Sequence, residues 1–291
     1  MKSVLITGGT GSFGKAFARR LLDQKLCDRV CIYSRGEHAQ AQLREDMGND
    51  TRLRWFIGDV RDRDRLKRAM TGVDVVVHAA ALKRIEVGHS NPVEMVKTNV
   101  DGTINVIEAA QDAGVKRALL LSSDKAFQPC SAYGISKAMA ECLFLAANNT
   151  VAADGPRFAA TRYGNVWNSN GSVVPKWLDM IRRGATSVPV SDPECTRFYM
   201  TLDEAVDLVL DTLVTMRGGE LAIPDLPAYR LGDLVEAMGV SADVRGLPSF
   251  EKLHEGMGDG NTSDLARRMS VAELTEKLAE IGFRASLRVA A

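Results

Sequence analysis

The chain has no excess of either charge: 37 Lys and Arg stand against 37 Asp and Glu. A neutral balance leaves no electrostatic footprint for nucleic acid or an anionic membrane, so neither is expected as a partner. No apolar run reaches the roughly 18–20 residues that a membrane span needs. The first residues read as a strand leading straight into a glycine loop. They lack the charged region, apolar stretch and cleavage site of a signal peptide, and the cytoplasm is the expected compartment. Cysteines are few and odd in number: Cys27, Cys31, Cys130, Cys142 and Cys195. Their scattered spacing argues against a disulfide framework, and no Cys/His cluster has zinc spacing, so no metal is expected. Repeats and low-complexity segments are missing too.

The 291 residues, 45% of them hydrophobic, are ample for a large core. The first half alternates short β-branched runs with helical patterns. Strands are predicted at 3–7, 29–33, 53–58, 73–79, 118–122 and 157–162. The clearest helix spans 95–113, with Val96, Val100, Thr103, Ile107 and Ala110 on one face. Near-continuous apolar strands alternating with helices imply an α/β fold, a doubly wound parallel sheet of Rossmann type. The run RDRDRLKR at 61–68 suits a solvated helix face. After about Tyr163 the rhythm changes. Loops are predicted at 164–171, 187–194 and, as a flexible segment, 256–263. Helices are predicted at 174–183, 202–216 and 270–281. The expected division is a cofactor-binding domain over 1–163 and a smaller, mainly substrate-binding lobe over 164–291, laid over the carboxyl ends of the strands.

The segment VLITGGTGSFG, residues 4–14, is a strand and a glycine turn followed by a helix. Gly8, Gly11 and Gly14 recur every third residue, as close backbone approach to a dinucleotide pyrophosphate requires. Thr10, Ser12 and Phe13 share that turn. The second strand ends in Ser34-Arg35, where NAD-preferring sites usually carry an acid. A guanidinium here suits a 2′-phosphate and favours NADP, although an ordinary surface arginine would read the same. Asp59-Val60 after the third strand is placed to meet the adenine. Ala79-Ala80-Ala81 after the fourth would line the cofactor where bulk is not tolerated.

Tyr133 and Lys137 form a Tyr-x-x-x-Lys pair on one helix face. An ammonium beside a phenol favours phenolate, which exchanges a proton with a carbinol while hydride moves to nicotinamide. The pair follows a strand ending in Ser122-Ser123. Asp124-Lys125, just past that strand, offers an acid and a base, which a dehydration needs and a simple reductase does not; a solvated ion pair is the bland alternative.

Taken together, TGGTGSFG, His78–Ala81, the serine-ended strand and YGISK resemble the extended short-chain dehydrogenase/reductases. Ser123–Ala126, TRYGNV at 161–166, GSVVP at 171–175, Thr196-Arg197-Phe198 and EKLHE at 251–255 resemble one branch, the inverting UDP-N-acetylglucosamine 4,6-dehydratases of pseudaminic acid and capsular sugar pathways. The resemblance implies that Tyr133 and Lys137 oxidise C4 of the sugar with bound NADP. It implies further that Lys125 removes the C5 proton, that Asp124 helps protonate the departing C6 hydroxyl, and that Ser123 completes the catalytic set. Lys83 and Asn99 would lie near the nicotinamide. Asn165, Ser172, Val173, Arg197 and Glu251, with Lys83, would hold the sugar nucleotide, most simply a UDP-sugar. Arg197 also suits a structural salt bridge. A homodimer or higher oligomer is implied, through helices 95–113 and 133–146.

Three segments depart from the branch: Arg84–His89, Gln128–Ala132, and 246–252, where Leu247 replaces an arginine expected on a phosphate. Cys130, in the second, reads most simply as a spectator thiol. Two other readings stay open: a nucleotide-sugar epimerase or reductase, which needs no acid for the C6 hydroxyl, and an NADP-binding redox sensor.

Overall fold

The computed structural model describes residues 1–284; residues 285–291 of the expected lobe lie outside the described residues. Strands and helices alternate from the start: β1 (Ser3–Thr7), α1 (Ser12–Asp23), β2 (Arg29–Ser34), α2 (Glu37–Asp46), β3 (Leu53–Ile57), α3 (Arg63–Met70) and β4 (Val75–His78). Then come α4 (Ile85–Ser90), α5 (Pro92–Met95), a π-helical turn over Val96–Asp101, α6 (Gly102–Asp112), β5 (Arg117–Leu121), α7 (Ala132–Ala146) and β6 (Arg157–Thr161). The remainder comprises β7 (Asn165–Val166), α8 (Val173–Arg182), β8 (Ser187–Val190), β9 (Thr196–Met200), α9 (Leu202–Thr215), β10 (Leu221–Ala222), β11 (Ala228–Arg230), α10 (Leu231–Ala237), β12 (Ser241–Val244), β13 (Gly256–Gly258), β14 (Asn261–Thr262) and α11 (Val271–Glu280).

Seven strands form one sheet in the order β10-β6-β5-β4-β1-β2-β3, all pairs parallel. The strand order reverses between β1 and β4, and ligands of open α/β sheets bind at the carboxyl ends beside such a switch point. The central strands are buried throughout because helices cover both faces. One face packs Val4, Ile6 and Val77 with Phe17 and Leu21 of α1 and Val206 and Val209 of α9. The other packs Leu5, Val76 and Leu120 with Leu66 of α3, Val106 of α6 and Phe144 of α7. A third cluster, around Trp177, Val188, Tyr229 and Leu274, is the core of the smaller lobe. The charged run 61–68 contributes the start of α3, capped by Asp62 accepting from the Arg65 amide, with only its Leu66 side buried.

Three expectations need correcting. The 95–113 helix is interrupted: the π turn inserts a residue into the helical ladder and rotates the face. Thr98, Asn99 and Thr103 point inward, while Val96 is 48% exposed. The 187–194 loop instead begins with β8, which pairs in parallel with β12 and buries Val188 and Val190. The 256–263 segment is a packed hairpin, β13 against β14, with Met257 and Ser263 fully buried. The Ser263 hydroxyl ties it to Thr196 of β9 and to the Glu255 amide.

Candidate active site

The turn after β1 is shaped by close packing. Gly8 has φ +66, and a Cβ there would stand 2.9 Å from the Ala80 backbone; one on Gly14 would stand 2.5 Å from Gly9 Cα. Only glycine fits either position. Helix α1 starts from Gly11 with no side-chain cap and no acid in its first turn. Its amides and positive dipole end therefore face the cleft, as a pyrophosphate requires. On the cleft wall Thr98 Oγ1 and Ser122 Oγ are buried without a hydrogen-bond partner, the state of groups that a bound ligand satisfies. The cleft measures about 1260 Å³, more than one ordinary ligand pocket. These features fit a dinucleotide with a second ligand beside it.

Arg35 stands at the rim, its side chain 56% exposed and 3.8 Å from Asp59 Oδ2. Asp59 is held more closely by Arg61, at 2.8 Å. The neighbouring Ser34 hydroxyl accepts from Gln40 Nε2 at 3.0 Å. No acid follows β2 before Glu37.

Helix α7 is pressed onto the turn at Asp124–Ala126. Ser131 caps it by accepting from the Gly134 amide, and a Cβ on Gly134 would collide with the Lys125 carbonyl at 2.3 Å. This contact places Tyr133 next to Lys125. Burial raises the Tyr133 phenol most; Lys125 and the Ser123 hydroxyl pull it back, and Asp124 adds to the rise. Lys137 donates to the Leu121 carbonyl at 2.7 Å. Burial lowers its ammonium to about 8 against the pull of Glu141. The π turn supplies the brace: Asn99 accepts from the Leu82 amide and donates to the Leu82 carbonyl and Ser136 Oγ, at 2.8, 2.9 and 2.9 Å. It thereby locks the segment after β4 to α7.

A chain of alternating charges lies beside Tyr133. Lys125 Nζ contacts Asp124 Oδ1 at 3.1 Å, Asn165 Oδ1 at 3.0 Å and Glu255 Oε1 at 3.4 Å. Glu255 Oε2 in turn lies 3.0 Å from Lys252 Nζ, which donates to the Phe127 carbonyl. Burial opposes the Lys125 cation, but Asp124 and Glu255 hold its ammonium above the ordinary range. Burial raises Asp124, and the nearby Glu255 adds to this. Its Oδ2 has no partner. Burial would raise Glu255 too, yet Lys125, Arg197 and Lys252 keep it below the usual carboxylate range. The arrangement can move a proton at a carbon beside a carbonyl and can protonate a leaving oxygen.

The sequence matches the polysaccharide biosynthesis protein family over residues 4–272. The chain belongs to this family. It is 44% identical over 266 residues to the inverting UDP-N-acetylglucosamine 4,6-dehydratase of Campylobacter jejuni, covering 91% of this chain and 79% of that one. It is 39% identical over 240 residues to the UDP-glucose 4-epimerase of Rickettsia akari, covering 81% and 70%. The X-ray structure of Pen from Bacillus thuringiensis superposes with a TM-score of 0.90 at 32% identity, covering 96% of this chain and 97% of that one.

In this family member every site residue named from sequence borders one cleft except Asp124 and Asn99. Asn99, expected near the nicotinamide, is buried behind the wall as the brace between Leu82 and Ser136. Asp124 is fully buried and meets the cleft through Ser123 and Lys125, to which it is hydrogen-bonded. Ser172 and Val173 border it at the start of α8. Arg197 is buried, and its guanidinium is engaged by Glu251 and by the Thr196 and Leu253 carbonyls. Glu251 also accepts from Ser191 Oγ at 2.6 Å. The three departing segments converge: Ile85, Cys130, Ser131 and Phe250 meet Lys125 and Arg197 around one small cavity. Glu255 and Lys252 were not among the predicted site residues. Their signal was the run EKLHE, which brings two carboxylates and a lysine into one short segment.

Among the described residues no group of His, Cys, Asp and Glu is disposed to hold a metal, and no helix is long and apolar enough to cross a membrane.

Proposed function

We propose that this protein is a nucleotide-sugar 4,6-dehydratase, C5-inverting, acting on UDP-N-acetylglucosamine or a close relative with tightly held NADP. The observation that carries the reading is Lys125 at the cleft wall beside Tyr133, hydrogen-bonded to the buried Asp124. An epimerase at C4 has no use for that pair. The inverting dehydratase of C. jejuni is a relative over most of both chains.

A nicotinamide cofactor would lie from Gly8–Gly14 along Ala79–Ala81, with Arg35 on its 2′-phosphate, and would store the substrate's hydride between the two redox steps. Tyr133 takes the C4 hydroxyl proton with the Ser123 hydroxyl beside its phenol, and Lys137 stands one helical turn away, held on the Leu121 carbonyl. The C4 carbonyl acidifies C5–H. Lys125, having passed its extra proton to Asp124, takes the C5 proton; the bond pair moves towards C6, the C6–O bond breaks, and Lys125 returns a proton to the departing hydroxyl as water. The stored hydride would then be available to C6, and C5 would regain a proton on the opposite face. No net oxidation occurs. Lys83, Asn165, Arg197 and Glu251, with the start of α8 at Ser172 and Val173, hold the sugar nucleotide over the catalytic groups.

The protein acts as a homodimer in this reading. Val93 and Val96 on one segment and Ile135 and Met139 on α7 are 48–62% exposed, an apolar face that a second copy would cover.

Purified protein incubated with UDP-N-acetylglucosamine and no added cofactor tests the reading. A product lighter by one water supports it. An isomer of unchanged mass replaces it with the epimerase.

A further inference from the structure

We infer that Glu255 is a positioning residue for Lys125, fixing both the direction of its amine and the pH at which that amine becomes free to act as a base. The observation is geometric. Lys125 leaves the turn after β5 and would sweep the cleft freely, but its nitrogen is held at three points. Asp124 belongs to its own turn, Asn165 to β7, and Glu255 to the segment just before β13, far away in the chain. Glu255 is itself immobilised. It is 2% exposed, its amide donates to the Ser263 hydroxyl, and its second oxygen faces Lys252. A buried carboxylate held between two ammonium partners is a fixed point charge.

The charges around Lys125 come from every element packed on it. Asp124 and Glu255 favour its cation. Arg197 of β9, partly neutralised by Glu251, opposes it, and Lys252 divides the charge of Glu255. Tyr133 of α7 and Tyr229 of β11 face it as neutral phenols, and Asn165 as a neutral acceptor. Asp124 and Glu255 are the two carboxylates on the ammonium, and Glu255 is the one that comes from outside its own turn. Removing it must lower the pH at which Lys125 loses its proton; removing Lys252 must raise it.

The catalytic consequence rests on the dehydratase reading, but the titration does not. In the substrate-free protein, Lys125 is labelled with acetic anhydride across a pH series and followed by peptide mass spectrometry, since only a neutral amine reacts. Glu255→Gln should label Lys125 at a pH lower by about one unit, or roughly 10-fold faster at fixed pH. Lys252→Gln should label it more slowly, which keeps the inference open to test if Glu255→Gln fails to fold. Under turnover, Glu255→Gln should keep C4 oxidation, read as reduction of the bound cofactor, within a few-fold, and move the pH limb of C5 proton exchange downwards. Unchanged labelling in both variants overturns the inference. So does a parallel loss of C4 oxidation and C5 exchange in a folded Glu255→Gln protein. A wild-type protein whose Lys125 labels as expected, but which exchanges no C5 proton, overturns the dehydratase reading and leaves the titration standing.

Discussion

Lys125 Nζ and Asp124 Oδ1 lie 3.1 Å apart, and the carboxylate is entirely buried while the lysine borders the cleft. One proton can sit on either group without changing the charge of the pair. The base for C5 and the acid reserve for the C6 oxygen therefore arise from a single proton shift. Lys125→Met and Asp124→Asn should both leave C4 oxidation in place, seen as reduction of the bound nicotinamide at 340 nm. Both should stop loss of water, Lys125→Met by roughly 10²–10⁴-fold. Loss of the absorbance change in the same variants would place Lys125 in the first step instead.

Tyr133→Phe removes the group that takes the C4 proton. It should lower turnover by roughly 10²–10⁴-fold and remove the absorbance change as well. Binding of substrate, measured by calorimetry, should change little, because the loss falls on the transition state.

Arg35 is the one cation placed at the end of β2, and its closest carboxylate is already committed to Arg61. Arg35→Ala should weaken NADP by about 1.5–3 kcal/mol, the value of a charge-assisted hydrogen bond, and leave NAD affinity nearly unchanged. Competition between the two dinucleotides on the cofactor-stripped protein measures this directly.

His78 closes β4 with Nδ1 2.7 Å from Thr7 Oγ1 and Nε2 3.2 Å from Thr103 Oγ1. Burial, aided by the charge of Lys137, pulls its imidazole down to about 3. Between that value and the ordinary 6.5, the unfolded chain binds a proton that the folded chain refuses. Stability from this group is therefore complete above about pH 6.5 and is lost as pH falls towards 3, by at most about 1.4 kcal/mol per pH unit. Urea midpoints between pH 5 and 7 should rise with pH in the native chain. The slope should be shallower in His78→Gln, whatever that substitution costs in total stability.

Met139 and Ile135 lie one helical turn apart on the open face of α7, 50% and 57% exposed. If this face carries the proposed dimer, the native chain should scatter light as a dimer at micromolar concentration and Met139→Glu as a monomer, with the same far-UV circular dichroism. An unchanged dimer would move the interface elsewhere.

What was legible in the sequence was local. The glycine turn, the Tyr133/Lys137 spacing and Asp124-Lys125 are fixed by steps of one to four residues along the chain, and all but the buried Asp124 reach the cleft. What was not legible is set by packing between distant segments. Glu255 reaches Lys125 only because Ser263 and Thr196 pin its hairpin to β9. Apolar spacing at Val96 and Val100 points to the wrong helix face, because the inward residues there are the polar Thr98 and Asn99, and Asn99 is held by hydrogen bonds to Leu82 and not by apolar burial. The strand β8 reads as a loop because its partner, β12, lies far along the chain and a proline sits within it.

The most direct test of the account is turnover of UDP-N-acetylglucosamine in deuterated water, followed by NMR and mass spectrometry. A 4-keto-6-deoxy product with one solvent deuterium at C5 and inverted configuration there, formed without added cofactor, is expected. A product that keeps the C6 hydroxyl and its original C5 hydrogen would contradict it.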